Sequence, residues 1–462
     1  MRRASRVLAL VCTGTFLTAL DVTIVNVAYR TMRGEFTDSR LLPWVISGYN
    51  IAFAAGLLTA GRMADSFGRK RAFLLGVSVF GLASVMCGFA NVVWFLVVAR
   101  VLQATGAALI VPSGMALVLP EFPVDRRSAA IGVTAAVGGL GAATGPVLGG
   151  LLVDSFGWPW IFWAEVPVCA FIVVTGRRLL RESTTPVVAN RRVLPDFVGA
   201  AFAVLAVGLL TLALVESGVW GWTSGRMIGC LVAAIVFGVG FVRRTRIVAV
   251  PVLDLGLFRL RFVTGANVAG ILYAAGFYAF NFTMIQWIRD VWNYSPSRAG
   301  LAVLAAPIAS MTVSPIGGRL AQRFGHVRVA VPGLGLFGAT TLAMATFLHV
   351  RPNYWTVFFP CMIAAGVSIG LSISVLSSAA NAFLPVERFA MGSALYATGR
   401  QVGGALGIAV VTAIAASVDA PASGFRWAWR YIAVTMIGAA VAMVVLFRRP
   451  SEAELAAASA VE

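Results

Sequence analysis

The sequence predicts an all-α integral membrane protein of fourteen transmembrane helices, arranged as two six-helix bundles with an inserted helix pair. Three observations carry this. Hydrophobic residues make up 59% of the 462 positions and charged residues 12%, with a mean hydropathy of +0.89; a soluble domain carries about 25% charged residues. Apolar runs near the length of roughly twenty residues that crosses the hydrocarbon core recur along the whole chain. A charged turn, Gly61-Arg62-Met63-Ala64-Asp65-Ser66-Phe67-Gly68-Arg69-Lys70-Arg71, returns in degenerate form as Gly318-Arg319-Leu320-Ala321-Gln322-Arg323-Phe324-Gly325-His326-Val327-Arg328, each copy between apolar runs.

The spans are expected to begin near Val7, Leu42, Ala72, Val93, Ser128, Pro159, Asp196, Gly225, Val263, Ala299, Val329, Tyr354, Met391 and Trp427. The charged turns follow spans two and ten, eight spans apart, whereas a plain duplication of six helices would separate them by six. Spans seven and eight are therefore the insertion. This divides the chain into 1–180, an N-terminal six-helix bundle; 181–250, the inserted pair with basic linkers; 251–450, a C-terminal six-helix bundle; and 451–462, a tail. A short interfacial helix is expected over 252–258. The first run lacks a small-residue cleavage site and reads as a retained helix. An even span count puts both termini on one side, and Arg2, Arg3, Arg6, Arg448 and Arg449 place that side in the cytoplasm of a plasma-membrane protein.

Composition also excludes. A net charge of +18 invites a nucleic-acid partner, but the arginines cluster in alternate connections, as the positive-inside rule expects, and the lipid bilayer accounts for them. Cys12, Cys87, Cys169, Cys230 and Cys361 fall in five different apolar runs, a spacing that suggests neither a disulfide framework nor a metal site. Lys70, the sole lysine, follows Arg69, so no phosphate-binding loop ending Gly-Lys-Ser/Thr exists and energy must come from a gradient. The two histidines, His326 and His349, fall in connections, which disfavours a membrane metalloenzyme or acyltransferase. No repeated polar filter suggests a channel. The expectation is a non-enzyme without cofactor or metal.

Several residues carry chemistry. In the turn, Gly61 and Gly68 permit tight backbone paths, Asp65 is expected near the start of span three, where a helix dipole favours an anion, and Arg69, Lys70 and Arg71 can bind carbonyls ending neighbouring helices. Span five carries Gly138, Gly141, Gly145 and Gly149 at spacings that line one face and allow close approach of another helix. Pro146 removes a backbone hydrogen bond within it. Asp21, Arg100 and Glu165 lie inside apolar spans, where a charge is expensive and normally faces water or a partner. Asp21 and Arg100 both fall in outer halves of their spans and are expected to interact, either as a proton site or as a static ion pair. Glu165 is either a second proton or cation site or a carboxylate satisfied near the interface by Trp160, water or backbone. Trp158, Trp160, Trp163, Trp220, Trp222, Trp287, Trp292, Trp355, Trp427 and Trp429 cluster at expected span ends, and most are expected as interfacial anchors. Tyr49, Phe53, Tyr273, Phe277, Phe280 and Tyr396 are candidate aromatic lining for an amphiphilic ligand, with Asn26, Asn50, Gln103, Asn267, Asn281, Arg400 and Gln401 as candidate polar lining.

At these residues the chain resembles the major facilitator superfamily, and within it the fourteen-helix drug:proton antiporter family. The 61–71 turn matches the superfamily's loop between helices two and three, 20–28 the helix-one segment, and Arg100-Val101-Leu102-Gln103 followed by Gly106 the helix-four segment. Gly141 to Gly150, with Gly145-Pro146 and Gly149-Gly150, matches the antiporter segment of helix five, and 400–407 that of helix thirteen. The chain departs at Tyr29-Arg30, where the family has Pro, at Pro159, where it has Arg, and at Glu165, where it has Asn. The resemblance implies that the turn is a conformational latch rather than only a topology anchor, that the helix-five glycines form a tight interface between the halves, and that helices one and four line a central cavity. It implies a monomeric, proton-coupled antiporter exporting small amphiphilic or cationic compounds. The alternatives are an exporter of one endogenous metabolite and a non-transporting receptor on the same fold.

Overall fold

The computed structural model describes residues 2–37, 39–182, 196–248, 255–384, 389–417 and 421–448. Every regular element among them is helical: α1 (Arg2–Glu35), α2 (Pro43–Phe67), α3 (Arg69–Gly88), α4 (Val93–Val118), α5 (Val124–Phe156), α6 (Trp160–Trp163), α7 (Glu165–Leu179), α8 (Phe197–Trp220), α9 (Gly225–Ile247), α10 (Arg261–Gln286), α11 (Pro296–Ala302), α12 (Ala305–Phe324), α13 (His326–Phe347), α14 (Phe359–Ala379), α15 (Phe389–Ala416) and α16 (Pro421–Val445). The described part of the expected 252–258 helix is a 3-10 turn, Leu255–Arg259.

Local chemistry sets several boundaries. The Asp196 carboxylate accepts from Gly199 N–H (2.9 Å) at the start of α8, the Ser224 hydroxyl from Met227 N–H (3.2 Å) at α9, and Ser295 from Arg298 N–H (3.3 Å) at α11, where Pro296 follows. Each satisfies an orphan donor of a helix end. Gly68 and Gly325 have φ of 102° and 92°, open to glycine at no steric penalty, and each is a one-residue joint between two helices. The charged turn is therefore mostly helix: 61–67 closes α2 and Arg69 opens α3. This corrects the expected position of Asp65, which belongs to the last turn of α2 and not to the start of the third span. The side chains of 61–67, Asp65 included, lie outside the described residues, as does the 451–462 tail.

The chain divides into two compact units, Met1–Val204 with Ile288–Leu304, and Leu205–Trp287 with Ala305–Glu462. In the first, α1 packs on α5, α2 and α3 on α4, α3 on α7, and α11 on α5. Phe73, Val77 and Phe80 of α3 interlock there with Ala104, Ala107 and Ile110 of α4 and with Val11 and Leu17 of α1. Lipid is as apolar as these side chains, so helix association depends on close packing rather than on escape from water. Gly76 and Gly106 allow it: a methyl group on Gly106 would lie 2.6 Å from the Phe80 backbone nitrogen. In the second unit, α10 packs on α15 and α16, α12 on α14, and α13 on α14 and α16. Phe280, Phe337 and Trp429 meet there edge to face, at 5.0 and 5.7 Å between ring centroids.

Trp287 and Trp429 are fully buried and Trp158 and Trp292 nearly so. These four are core residues, which corrects their expected role as interfacial anchors; the ring area of an indole at a helix crossing is best spent against other rings. Trp160, Trp222, Trp355 and Trp427 are exposed. Large aliphatic side chains such as Leu82, Ile235 and Val434 are about as exposed, at 65%, 65% and 66%, an outer surface suited to lipid. Twelve helical stretches among the described residues are long and apolar enough to cross a membrane, and Val198–Leu214 of α8 is a shorter apolar stretch.

Candidate functional site

The first unit encloses a charged cluster drawn from five helices. Asp21 comes from α1, Tyr49 from α2, Ser84 from α3, Arg100 and Gln103 from α4, and Glu165 opens α7. The spacing of three residues puts Arg100 and Gln103 on one helix face. The Arg100 guanidinium pairs with the Asp21 carboxylate, donates to Gln103 Oε1 at 2.6 Å through Nη1 and to the Val45 carbonyl at 3.3 Å through Nε, and lies 4.2 Å from the centroid of the Tyr49 ring. Gln103 Nε2 donates to Glu165 Oε2 at 2.8 Å and to Ser84 Oγ at 2.9 Å. Ser84 Oγ is 2.8 Å from the same Glu165 oxygen and 2.9 Å from the Phe80 carbonyl, either of which can accept its hydrogen. Asp21, Arg100, Gln103 and Glu165 are at most 1% exposed.

The cluster thus holds two carboxylates against one guanidinium. Asp21 Oδ2 and Glu165 Oε1 are buried, and the Asp21 carboxyl group lies within hydrogen-bond reach of both the Tyr49 hydroxyl and the Glu165 carboxyl group. An isolated charge in such a medium is strongly disfavoured, so one guanidinium matches one carboxylate and the second carboxylate can hold a proton. Expectation and structure agree on the Asp21–Arg100 contact. They differ on Glu165, whose partners are Ser84 and Gln103 in the protein interior and not Trp160 near an interface. Gln103 is fully buried in this cluster, which removes it from the cavity lining expected of it. Ser84 was missed: a lone serine in an apolar run carries no signal of its partner. Asn26 and Asn50 are buried nearby in sequence on α1 and α2.

The charged turn is held by a residue not foreseen. Glu182, just past α7, accepts from the backbone N–H of Lys70 (3.1 Å) and of Arg71 (3.3 Å), the first turn of α3. It is the anion that the α3 N-terminus favours. Arg69 donates to the Ala116 carbonyl (3.3 Å) and Lys70 to the Arg177 carbonyl (2.8 Å), near the ends of α4 and α7. A methyl group on Gly68 would strike Glu182, whereas one on Gly325 in the second copy would meet nothing. The two copies are unequal in surroundings as well as in sequence.

On α5, methyl groups at Gly138, Gly141, Gly145 and Gly149 would meet Thr15, Phe16, Thr23 and Ile24. These four glycines pack against α1, so within the segment expected between the halves it is Pro146 and Gly150 that meet an element of the 251–450 segment. Thr23 Oγ1 reaches the Ala142 carbonyl of α5 at 3.0 Å across this seam. The carbonyl of Pro146 lies against Gly300, and Gly150 lies against Pro296 of α11.

In the second unit α10 and α15 bring together Tyr273, Phe277, Tyr278, Tyr396, Arg400 and Gln401. Tyr273 and Phe277 stack at 5.7 Å with an interplanar angle of 14°. The Tyr278 hydroxyl donates to Gln401 Oε1 at 3.2 Å. Tyr278, Tyr396 and Tyr273 are the electrostatic neighbours of the Arg400 guanidinium. Asn281 turns back to the Phe277 carbonyl at 2.8 Å, a contact within its own helix.

A sequence profile described as Major Facilitator Superfamily matches residues 11–241 and 266–462. The chain is 33% identical over 419 residues to Multidrug resistance protein Stp of Mycobacterium tuberculosis, covering 89% of this chain and 76% of that one. It is 28% identical over 410 residues to Riboflavin transporter RibZ of Clostridioides difficile, covering 88% of each. The fold superposes on the inward-open xylose transporter XylE from E. coli with a TM-score of 0.68 at 12% identity, over 99% of both chains. With a profile match over most of its length and an all-helical fold of this kind, the chain belongs to the Major Facilitator Superfamily.

Proposed function

We propose that the chain is a fourteen-span, proton-coupled antiporter that exports small amphiphilic compounds across the plasma membrane by alternating access, as a monomer with both termini in the cytoplasm. The fourteen spans would be the twelve long apolar stretches together with the α2 and α8 helices. Six helices would lie on each side of the inserted α8–α9 pair. The observation that carries the reading is the sealed Asp21–Arg100–Gln103–Glu165 cluster. Such a group in a membrane interior is expensive to keep and has a use in proton exchange. A proton added to Asp21 removes the charge that holds Arg100, leaving the guanidinium with Gln103, the Val45 carbonyl and the Tyr49 face. The α1–α4 contact then weakens, and the two protonation states favour different conformations. Glu165, beside the Asp21 carboxyl group and joined to Arg100 through Gln103, is the second place for that proton. The 61–71 turn, anchored by Glu182, would serve as the latch between states.

Export is supported by similarity to a multidrug resistance protein. A transporter of one specific metabolite is the second reading, supported by similarity to a riboflavin transporter. Dye efflux from cells expressing the chain tests both. Gradient-driven efflux of several unrelated dyes, abolished by a protonophore and by Asp21→Asn, is expected. Efflux that persists in Asp21→Asn refutes the proton role, and failure across a broad panel favours the narrow transporter.

A further inference from the structure

Four ionisable side chains sit well inside the apolar spans: Asp21, Arg100, Glu165 and Arg400. Three of them close on one another and exclude solvent. Arg400 differs in both respects. It is partly exposed, in the interior of α15. Among the described residues the second unit holds a single carboxylate, Glu216 on α8, and no ion pair reaches Arg400. A cation at membrane depth normally has an anionic partner; among the described residues Arg400 has the Tyr278 hydroxyl and no carboxylate.

The groups around Arg400 are donors in excess. A guanidinium offers five N–H donors and no acceptor. The hydroxyls of Tyr273 and Tyr396, its electrostatic neighbours, are buried and have no hydrogen-bond partner. Their residues are 1% and 4% exposed. The Tyr278 hydroxyl accepts one of the Arg400 hydrogens and itself donates to Gln401 Oε1, so the neighbouring acceptors are already engaged. Unmet buried donors are costly, and the group that would satisfy them together is an anionic oxygen. Beside them Phe277, half-buried and stacked on the buried Tyr273 ring, offers aromatic surface.

We infer that Arg400, with the Tyr273 and Tyr396 hydroxyls, is a subsite for the carboxylate of an aromatic substrate, whose ring rests against Phe277. This rests on the export reading and narrows it: the charge within the spans that remains accessible is positive, so acids are preferred over the cationic compounds that the family resemblance suggests. Arg suits the role because its planar fork binds carboxylates in two-point fashion.

The test uses the purified full chain and three probes with one ring: 1-pyrenebutyrate, the neutral 1-pyrenebutanol, and the corresponding pyrenebutyl-trimethylammonium. Binding is read by energy transfer from tryptophan to pyrene. Wild type is expected to bind the carboxylate at least about tenfold more tightly than the cation, as a charge-assisted bidentate contact implies. Arg400→Gln should lose that preference while binding of the alcohol stays within about twofold, and Arg400→Lys should retain part of it. Tyr396→Phe, which removes one hydroxyl, should weaken the carboxylate several-fold and serves if Arg400→Gln does not fold. Equal or tighter binding of the cation by wild type overturns the inference. So does a carboxylate affinity unchanged in both Arg400→Gln and Tyr396→Phe, or failure to bind any probe. Gradient-driven efflux of dyes from cells is scored separately: its loss refutes the export reading, while its persistence alongside cation-preferring binding refutes only the anion subsite.

Discussion

Asp21→Asn tests the buried cluster most directly. The wild-type guanidinium of Arg100 is 1% exposed and pairs with a single carboxylate, Asp21, which is itself fully buried. The isosteric amide keeps the shape of the site and a hydrogen-bond acceptor but removes the charge. Arg100 then keeps the Val45 carbonyl at 3.3 Å and Gln103 Oε1 at 2.6 Å, both uncharged, with Glu165 bonded to Gln103 and adjacent to position 21. Removing one partner of a buried pair costs about 3–5 kcal/mol. Glu165 offsets some of this by carrying its charge in the same enclosure, so the lower end, about 3 kcal/mol, is expected. That corresponds to roughly a hundredfold shift in the folding equilibrium. Arg100→Met should cost a similar amount, and the double variant Asp21→Asn/Arg100→Met should cost far less than the sum, because no unpaired charge remains. Equilibrium unfolding in mixed micelles measures all three. A single variant within about 0.5 kcal/mol of wild type, or a double variant equal to the sum of the singles, would refute the coupling. The same single variant should lack proton-driven efflux, since an amide takes up no proton at neutral pH.

Other variants separate the remaining roles. Glu165→Gln keeps an oxygen for Ser84 and Gln103, so stability should change by no more than about 1 kcal/mol while gradient-driven efflux falls; wild-type efflux would mark Glu165 as a static acceptor. Glu182→Gln removes the anion at the α3 N-terminus, a loss of about 0.3–1 kcal/mol, and should slow efflux without changing ligand binding; an effect on binding alone would contradict the latch. Asp65→Ala should impair transport more than Gln322→Ala, and equal effects would reduce the turn to a topology anchor. Gly106→Ala drives a methyl group into the Phe80 backbone and should lower the yield of folded protein sharply, whereas Gly139→Ala, which would meet nothing within 4 Å, should leave yield unchanged; similar yields would argue against the tight α3–α4 crossing.

The sequence by itself determined that this is an all-helical membrane protein of the superfamily. It did so through physics that needs no partner: lipid demands long apolar runs, and a backbone that must satisfy its own hydrogen bonds there. It also isolated Asp21 and Arg100, since a charge in such a run stands out however the helices pack. Gly68 and Gly325 announced the joints between helix pairs, because their conformation is local. What only the tertiary structure decided is which groups meet. Glu165 finds Gln103 and Ser84, Glu182 finds the amides of Lys70 and Arg71, the helix-five glycines turn to α1, and Trp287 and Trp429 turn inward. Each joins residues on different helices, and helical periodicity fixes a face without naming the surface opposite. The missing counter-charge at Arg400 is the clearest case. A residue's charge is written in the sequence, but that Arg400 meets tyrosines and no carboxylate among the described residues follows from how α10 and α15 pack.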